Sequence, residues 1–169
     1  MALNVTDQPP KTKRHMLDTP QIIQTTAQLT AVIPIVVPRE KIREVMGPGL
    51  RELMSAIAAQ GVSPTGPWFT HHRKMDPDIF DFEISVPVDK PVTAMGRVQP
   101  SELPARRVVR TIYHGDYEGL SEAWGEFIDW IEANGHPRAA DLWECYAYGP
   151  ESTSDETAYR TELNQPLLD

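Results

Sequence analysis

A single cysteine, Cys145, stands among 169 residues, which excludes a disulfide framework and any cysteine-based zinc cluster. No apolar run reaches the roughly 18 residues that a membrane helix needs, and the chain opens polar from Met1 to Asp7, so neither a membrane span nor a signal peptide is legible. Histidines are few and scattered. His71 and His72 are adjacent and face opposite ways on a strand, while His15, His114 and His136 are isolated, so no metal site is expected. Gly47-Pro48-Gly49 lacks the lysine-serine signature of a phosphate loop, and no cofactor is expected. Sixteen prolines against ten glycines work against long uninterrupted helices. Positive charge is scarce as well. The formal net charge is −8, which argues against nucleic-acid binding. Residues 1–110 carry 14 basic and 11 acidic side chains, whereas residues 111–169 carry 2 basic, Arg138 and Arg160, against 13 acidic. Such a field in the second half favours a cationic partner, although a solvated acidic helix face explains it equally. A cytoplasmic chain without membrane association is the expectation.

What is present reads as a mixed fold. Residues 1–19 form a polar, unstructured lead, too short for a helix-turn-helix, and residues 20–169 a single domain. Residues 21–37, rich in Ile, Val and Thr, predict one or two strands broken near Ala27 to Leu29. Pro38 then opens a helix that Gly47-Pro48-Gly49 is expected to kink or break before Leu50, Leu53, Met54 and Ile57 resume the 3.6 period and Gly61 caps the end. Strands are predicted from Trp68 to Arg73 and from Phe80 to Val88, where Phe80, Phe82, Ile84, Val86 and Val88 alternate on one face. One short strand is expected within residues 91–104. A strand over residues 106–114 precedes a helix over residues 119–134 with Leu120, Trp124, Phe127 and Ile131 on its core face. Residues 141–148 and 159–167 are the last two strands.

The second half repeats the first. Residues 52–61 align with residues 126–135 at an offset of 74, which also lays Trp68-Phe69-Thr70 over Leu142-Trp143-Glu144. Residues 83–88 align with residues 162–167 at an offset of 79, the loop around Gly149 to Glu156 holding the extra residues. The fold class is therefore α+β: duplicated β-α-β-β units, over about residues 28–90 and 105–168, forming a curved antiparallel sheet with two helices and a central concave pocket. Pockets favour such seams.

Chemistry concentrates on residues 141–148. Strand alternation puts Leu142, Glu144, Tyr146 and Tyr148 on one face, and Trp143, Cys145 and Ala147 on the other. A carboxylate among rings can receive a cation by charge pairing and cation–π attraction, can act as a general acid or base if burial raises its pKa, or can be a plain edge glutamate. Glu83 and Glu162 occupy equivalent repeat positions and fit a structural role with Arg73 or Arg160. Tyr117, at the entrance of the second helix, either points into the cleft or packs as a polar-tipped core residue. Cys145, opposite in face to Glu144, reads as a small buried hydrophobe.

Gly115-Asp116-Tyr117-Glu118-Gly119-Leu120 with Ala123-Trp124, then Leu142-Trp143-Glu144-Cys145-Tyr146, then Thr161-Glu162-Leu163 with Pro166-Leu167, resembles the GyrI-like small-molecule-binding domain. That is the effector-binding domain also attached to AraC-type and multidrug-sensing regulators; here it would be a stand-alone member. The resemblance implies a pocket with Glu144 at its centre and Trp68, Tyr117, Tyr146, Tyr113 and Phe82 as ligand-binding residues. It implies an amphipathic, aromatic or cationic ligand. For the subset that hydrolyses cyclopropane-bearing alkylators, it implies Glu144 and Tyr117 as catalytic residues. A protein partner, as for gyrase-inhibitor relatives, or a homodimer is the further expectation. Asp116 departs from the proline more usual there, and Cys145 from an aliphatic.

Overall fold

The computed structural model describes residues 16–150 and 152–168. Its elements run β1 (Gln21–Gln24), β2 (Gln28–Pro38), α1 (Ile42–Ala59), β3 (Phe69–Met75), β4 (Ile79–Pro87), β5 (Gln99–Leu103), β6 (Arg107–His114), α2 (Leu120–Ala133), β7 (Leu142–Tyr148) and β8 (Arg160–Pro166). The strands form one eight-stranded sheet in the order β1-β6-β8-β7-β3-β4-β2-β5, antiparallel throughout. Two β-α-β-β units, β2-α1-β3-β4 and β6-α2-β7-β8, meet where β3 pairs with β7. Thr70 lies directly opposite Glu144 in that pair, and the two are also repeat equivalents, so the pseudo-twofold axis passes between them.

Each unit buries one sheet face under its helix. Leu53, Ala56 and Ile57 of α1 pack on Ile33, Ile35, Phe82, Ile84 and Val86. Ala123, Phe127 and Ile131 of α2 pack on Val109, Leu163 and Leu167. The period-two pattern of β4 and the 3.6 period of both helices dictate these contacts.

Two edge strands exchange places. β1 precedes β2 in the chain yet pairs with β6 of the other unit, and β5 precedes β6 yet pairs with β2. In a flat sheet the six spacings between β1 and β2 would span about 29 Å, whereas the four residues from Gln24 to Gln28 reach at most about 14 Å. The sheet therefore curls until its two ends nearly meet. Its concave side is the helix-free face, where Ile23, Phe69, Leu103, Val108, Trp143 and Cys145 converge from both ends of the sheet. The linkers join there: Thr25 N donates to Arg106 O at 2.8 Å, and Arg106 N donates to Thr25 Oγ1 at 2.9 Å. Arg106 also grips Asp141 with both terminal nitrogens, and His71 Nε2 lies 2.8 Å from the same carboxylate. Burial opposes the charge on Asp141, but the hydrogen bonds from His71 and Arg106 outweigh it and hold the carboxyl well below its usual range.

Of the lead, residues 1–15 lie outside the described residues, but residues 16–19 run beside β6: Leu17 bridges Tyr113, and Thr111 Oγ1 donates to Asp18 O at 2.6 Å. Gly47-Pro48-Gly49 does not break the first helix, which continues to Ala59. Pro48 is exposed, so water can satisfy the carbonyl its ring deprives of a partner. Gly49 is buried against β4, where an added Cβ would stand 2.5 Å from Ile84 Cδ1. At Gly47 it would meet nothing nearer than the Arg51 guanidinium at 3.4 Å.

Alanine substitutions at these two glycines should therefore differ in cost. Gly47→Ala should change stability by less than about 1 kcal/mol, because the gain in helix propensity is opposed by contact of its Cβ with the ring of Pro48. Gly49→Ala, which wedges a methyl against the fully buried Ile84, should cost about 1–3 kcal/mol from overpacking, less the propensity gain. Urea unfolding of both variants checks the pair, and a stabilising Gly49→Ala would contradict this account of the close approach.

Candidate functional site

The helices pack on the outer strands of each unit, leaving the central pair, β3 and β7, as a strip between them. On the helix side of that strip alternation places Thr70 and His72 from one repeat and Leu142, Glu144 and Tyr146 from the other. Glu144 is half-buried. Its Oε2 accepts from Trp124 Nε1 of α2 at 2.8 Å, and its Oε1 accepts from the Tyr146 hydroxyl at 2.8 Å. Among the described residues no basic side chain pairs with it. Burial pushes its pKa up against the lowering effect of those two donors.

A directed chain of hydrogen bonds crosses the axis. Tyr146 spends its one proton on Glu144, so at the 2.7 Å contact between Thr70 Oγ1 and Tyr146 Oη the threonine donates. Thr70 then has only acceptor capacity left for His72 Nε2, 3.1 Å away, so His72 carries its proton on Nε2. All three donors point toward the carboxylate, and such chains polarise one another. The other ring nitrogen, His72 Nδ1, is buried with no hydrogen-bond partner. His72 stays neutral: burial, then the charges of His71 and Arg39, lower its pKa from 6.5 to about 4.

Aromatic rings surround the carboxylate. Trp68, just before β3, lies 4.4 Å centroid to centroid from Tyr146, and its Nε1 is buried without a hydrogen-bond partner. Tyr117, in the 3₁₀ turn Tyr117–Gly119, meets Tyr146 edge-on at 5.7 Å and Tyr159 at 5.0 Å. Phe82 belongs to the first core but stacks on His72 at 5.1 Å. Tyr113 stands apart: it packs with Val109, Phe127 and Leu163 in the second core, its hydroxyl pressed toward Gly115 and Gly119. The pattern reading missed Trp124, Thr70 and His72. Trp124 was legible only as a core residue of α2, though its indole N–H is a donor that a buried position must satisfy.

The cavity is not where Glu144 points. A space of about 360 Å³ opens on the concave, helix-free face, lined among others by Phe69, Trp143, Cys145, Arg110 and Glu162. With a side-chain period of two, Glu144 cannot share a face with its neighbours Trp143 and Cys145. Around Glu144 itself stand the rings of Trp124, Tyr146, Trp68 and Tyr117.

The duplicated β-α-β-β units form one antiparallel sheet with a carboxylate beside the internal axis. The model of the GyrI-like small molecule binding domain matches residues 20–167, and the chain belongs to that family. No curated protein sequence matches it. Among solved structures it is similar to EcmrR in its DNA complex, with TM-score 0.80 and 21% identity over 93% of this chain; it spans 60% of that longer chain. The EcmrR C-terminal domain alone gives TM-score 0.78 at 21% identity, covering 88% of this chain and 96% of that one. SAV2435 bound to tetraphenylphosphonium gives 0.63 at 14% identity, covering 89% and 94%. At these identities the likeness is one of fold. No helix of the described residues is long and apolar enough to cross a membrane.

His72 supplies a test of the chain. A histidine whose pKa is depressed by folding favours the folded state fully above its unfolded pKa, and that contribution is lost as pH falls toward the folded value. Wild type should therefore lose about 3 kcal/mol from this group between pH 6.5 and 4. His72→Gln keeps an Nε2–H donor but cannot titrate, and should lack this part of the pH dependence. Parallel urea titrations at several pH values compare the two proteins.

Proposed function

We propose that the chain captures amphipathic aromatic molecules bearing a positive charge, with Glu144 as their counter-ion and Trp68, Tyr117, Tyr146 and Trp124 as the aromatic wall. One observation carries this reading: a half-buried carboxylate is ringed by aromatic side chains and has no basic partner among the described residues. Burying an unpaired charge is costly, and a cation seated there recovers that cost by charge pairing and cation–π attraction. The family to which the chain belongs, and the tetraphenylphosphonium bound to SAV2435, support the ligand class. A ligand that reaches the carboxylate must pass these rings. Trp68 is half-buried and follows the segment Pro64 to Pro67, which makes it the ring best placed to swing out.

A second reading rests on the same carboxylate. The fold is also similar to a hydrolase encoded by lin2189 from Listeria innocua, with TM-score 0.62 and 12% identity over 88% of this chain and 91% of that one. Glu144 would orient water toward a strained electrophile such as a cyclopropane, with Tyr117 as proton donor. Mass detection of a water adduct separates turnover from capture.

Tetraphenylphosphonium serves as the probe for the first reading. At 100 times its Kd it should stabilise wild type by about 2.7 kcal/mol, read as a thermal shift. Glu144→Gln should lose most of that shift, each protein being compared with its own ligand-free midpoint. Equal shifts in both proteins would remove Glu144 from the role.

The affinity of wild type for this permanent cation should also fall with decreasing pH, because the carboxylate gains its proton. The midpoint should lie above the ordinary glutamate value of about 4.3, since burial raises the Glu144 pKa. Calorimetric titrations across pH check this, and a flat profile would contradict it.

A further inference from the structure

The concave face carries polar groups that its own packing leaves partly unused. Arg110 of β6 spends its Nε on Asn164 Oδ1 at 2.6 Å and lies 3.3 Å from Glu162 Oε1. Its two terminal nitrogens make no hydrogen bond among the described residues. Glu162 Oε1 also accepts from Asn164 Nδ2 at 3.1 Å, and the thiol of Cys145, its partner across the ladder, hydrogen-bonds to the same carboxylate, which leaves part of its acceptor capacity for a ligand. Arg110 and Glu162 are 32% and 23% exposed, and both line the 360 Å³ cavity. Holding a guanidinium and a carboxylate side by side with spare donors and acceptors is what a recognition edge requires.

The internal duplication shows that this edge is a departure. Asn164, which faces Arg110 across the ladder, corresponds through the offset of 79 to Ser85, and Ser85 faces Val32. The first unit thus has Val32 and Ser85 where the second has Arg110 and Asn164. Glu83, the equivalent of Glu162, is held by the exposed Arg73 at 3.0 Å. Among the described residues the two ends thus differ: the second unit sets Arg110 and Asn164 near Glu162, where the first sets Val32 and Ser85.

Beside the edge lies an apolar floor of Ile23, Phe69, Leu103 and Trp143. The cavity is at the small end of ligand pockets, which run from roughly 300 to 1,000 Å³. A carboxylate ligand would crowd Glu162 and a cation would crowd Arg110, so the edge suits a neutral group that presents an acceptor next to a donor.

We propose that this cavity is a second binding site, for a small flat uncharged molecule with an amide or lactam edge. Its carbonyl lies toward the Arg110 terminal nitrogens, its N–H toward the Glu162 carboxylate, and its ring on Phe69 and Trp143. The site lies on the opposite sheet face from Glu144 and does not depend on the function assigned there. Calorimetric titration with 2-quinolone tests it against quinoline, a similar ring without the edge. The lactam should bind saturably and at least about tenfold more tightly than quinoline, as a paired donor and acceptor edge supplies. Arg110→Met should weaken it about tenfold or more. Ala147→Trp, at an exposed position on the cavity lining where the fold tolerates bulk, should block it, and Glu144→Gln should leave it unchanged. No saturable binding of 2-quinolone, equal binding of quinoline, indifference to both Arg110→Met and Ala147→Trp, or loss in Glu144→Gln would each overturn the proposal.

Discussion

The antiparallel pairing of β3 with β7 is the constraint on which the rest of the molecule depends. It joins two similar halves into one sheet and puts Thr70 and Glu144 face to face across the internal axis. Equivalent positions that meet at an axis are close neighbours, and two glutamates there would repel each other at short range. A threonine in one copy and a glutamate in the other avoid this. They also make the pair useful, because the threonine relays the His72 proton donor toward Tyr146 and so toward the carboxylate.

The same pairing makes the sheet two-faced. Successive residues of β7 alternate between a strip of rings around a lone carboxylate and a curled apolar trough with a polar end. Electrostatically the two sides differ. Among the described residues the carboxylate on the helix side has no countercharge, whereas on the trough side Arg110 and Glu162 offset one another. A change of one residue in strand register would exchange these surfaces, so the close cross-strand bonds of Tyr146, Thr70 and His72 also protect the identity of each face.

Much of this was legible in the sequence because the relevant signals are local and periodic. The two helices, the alternation of β4 and the duplication all follow from spacing, and the facing of Glu144 away from Cys145 follows from the period of two. The resemblance carried by Gly115 to Leu120 and by Leu142 to Tyr146 named the family that the domain match shows. What was not legible depends on contacts far apart in the chain. Trp124 looked like any core residue of an amphipathic helix, since nothing local says that its N–H meets Glu144. Gly47-Pro48-Gly49 looked like a break because propensity alone disfavours it, whereas burial of Gly49 against Ile84 and Ile35 and solvent at Pro48 override that preference. The side on which the cavity lies was hidden too, because curvature arises from the exchanged edge strands and not from any strand taken singly.

That exchange has a consequence for the order in which the chain can assemble. Residues 21–24 leave the ribosome long before their partners on β6; Thr25 and Arg106, which close the junction, are 81 residues apart. β5 emerges when β2 already exists and can dock at once, whereas β1 must wait for the second unit to form. Long-range pairings of this kind raise contact order and slow folding. The first half made during synthesis is thus held incomplete, its opening strand unengaged, until the second half closes over the trough and ties both ends of the sheet together.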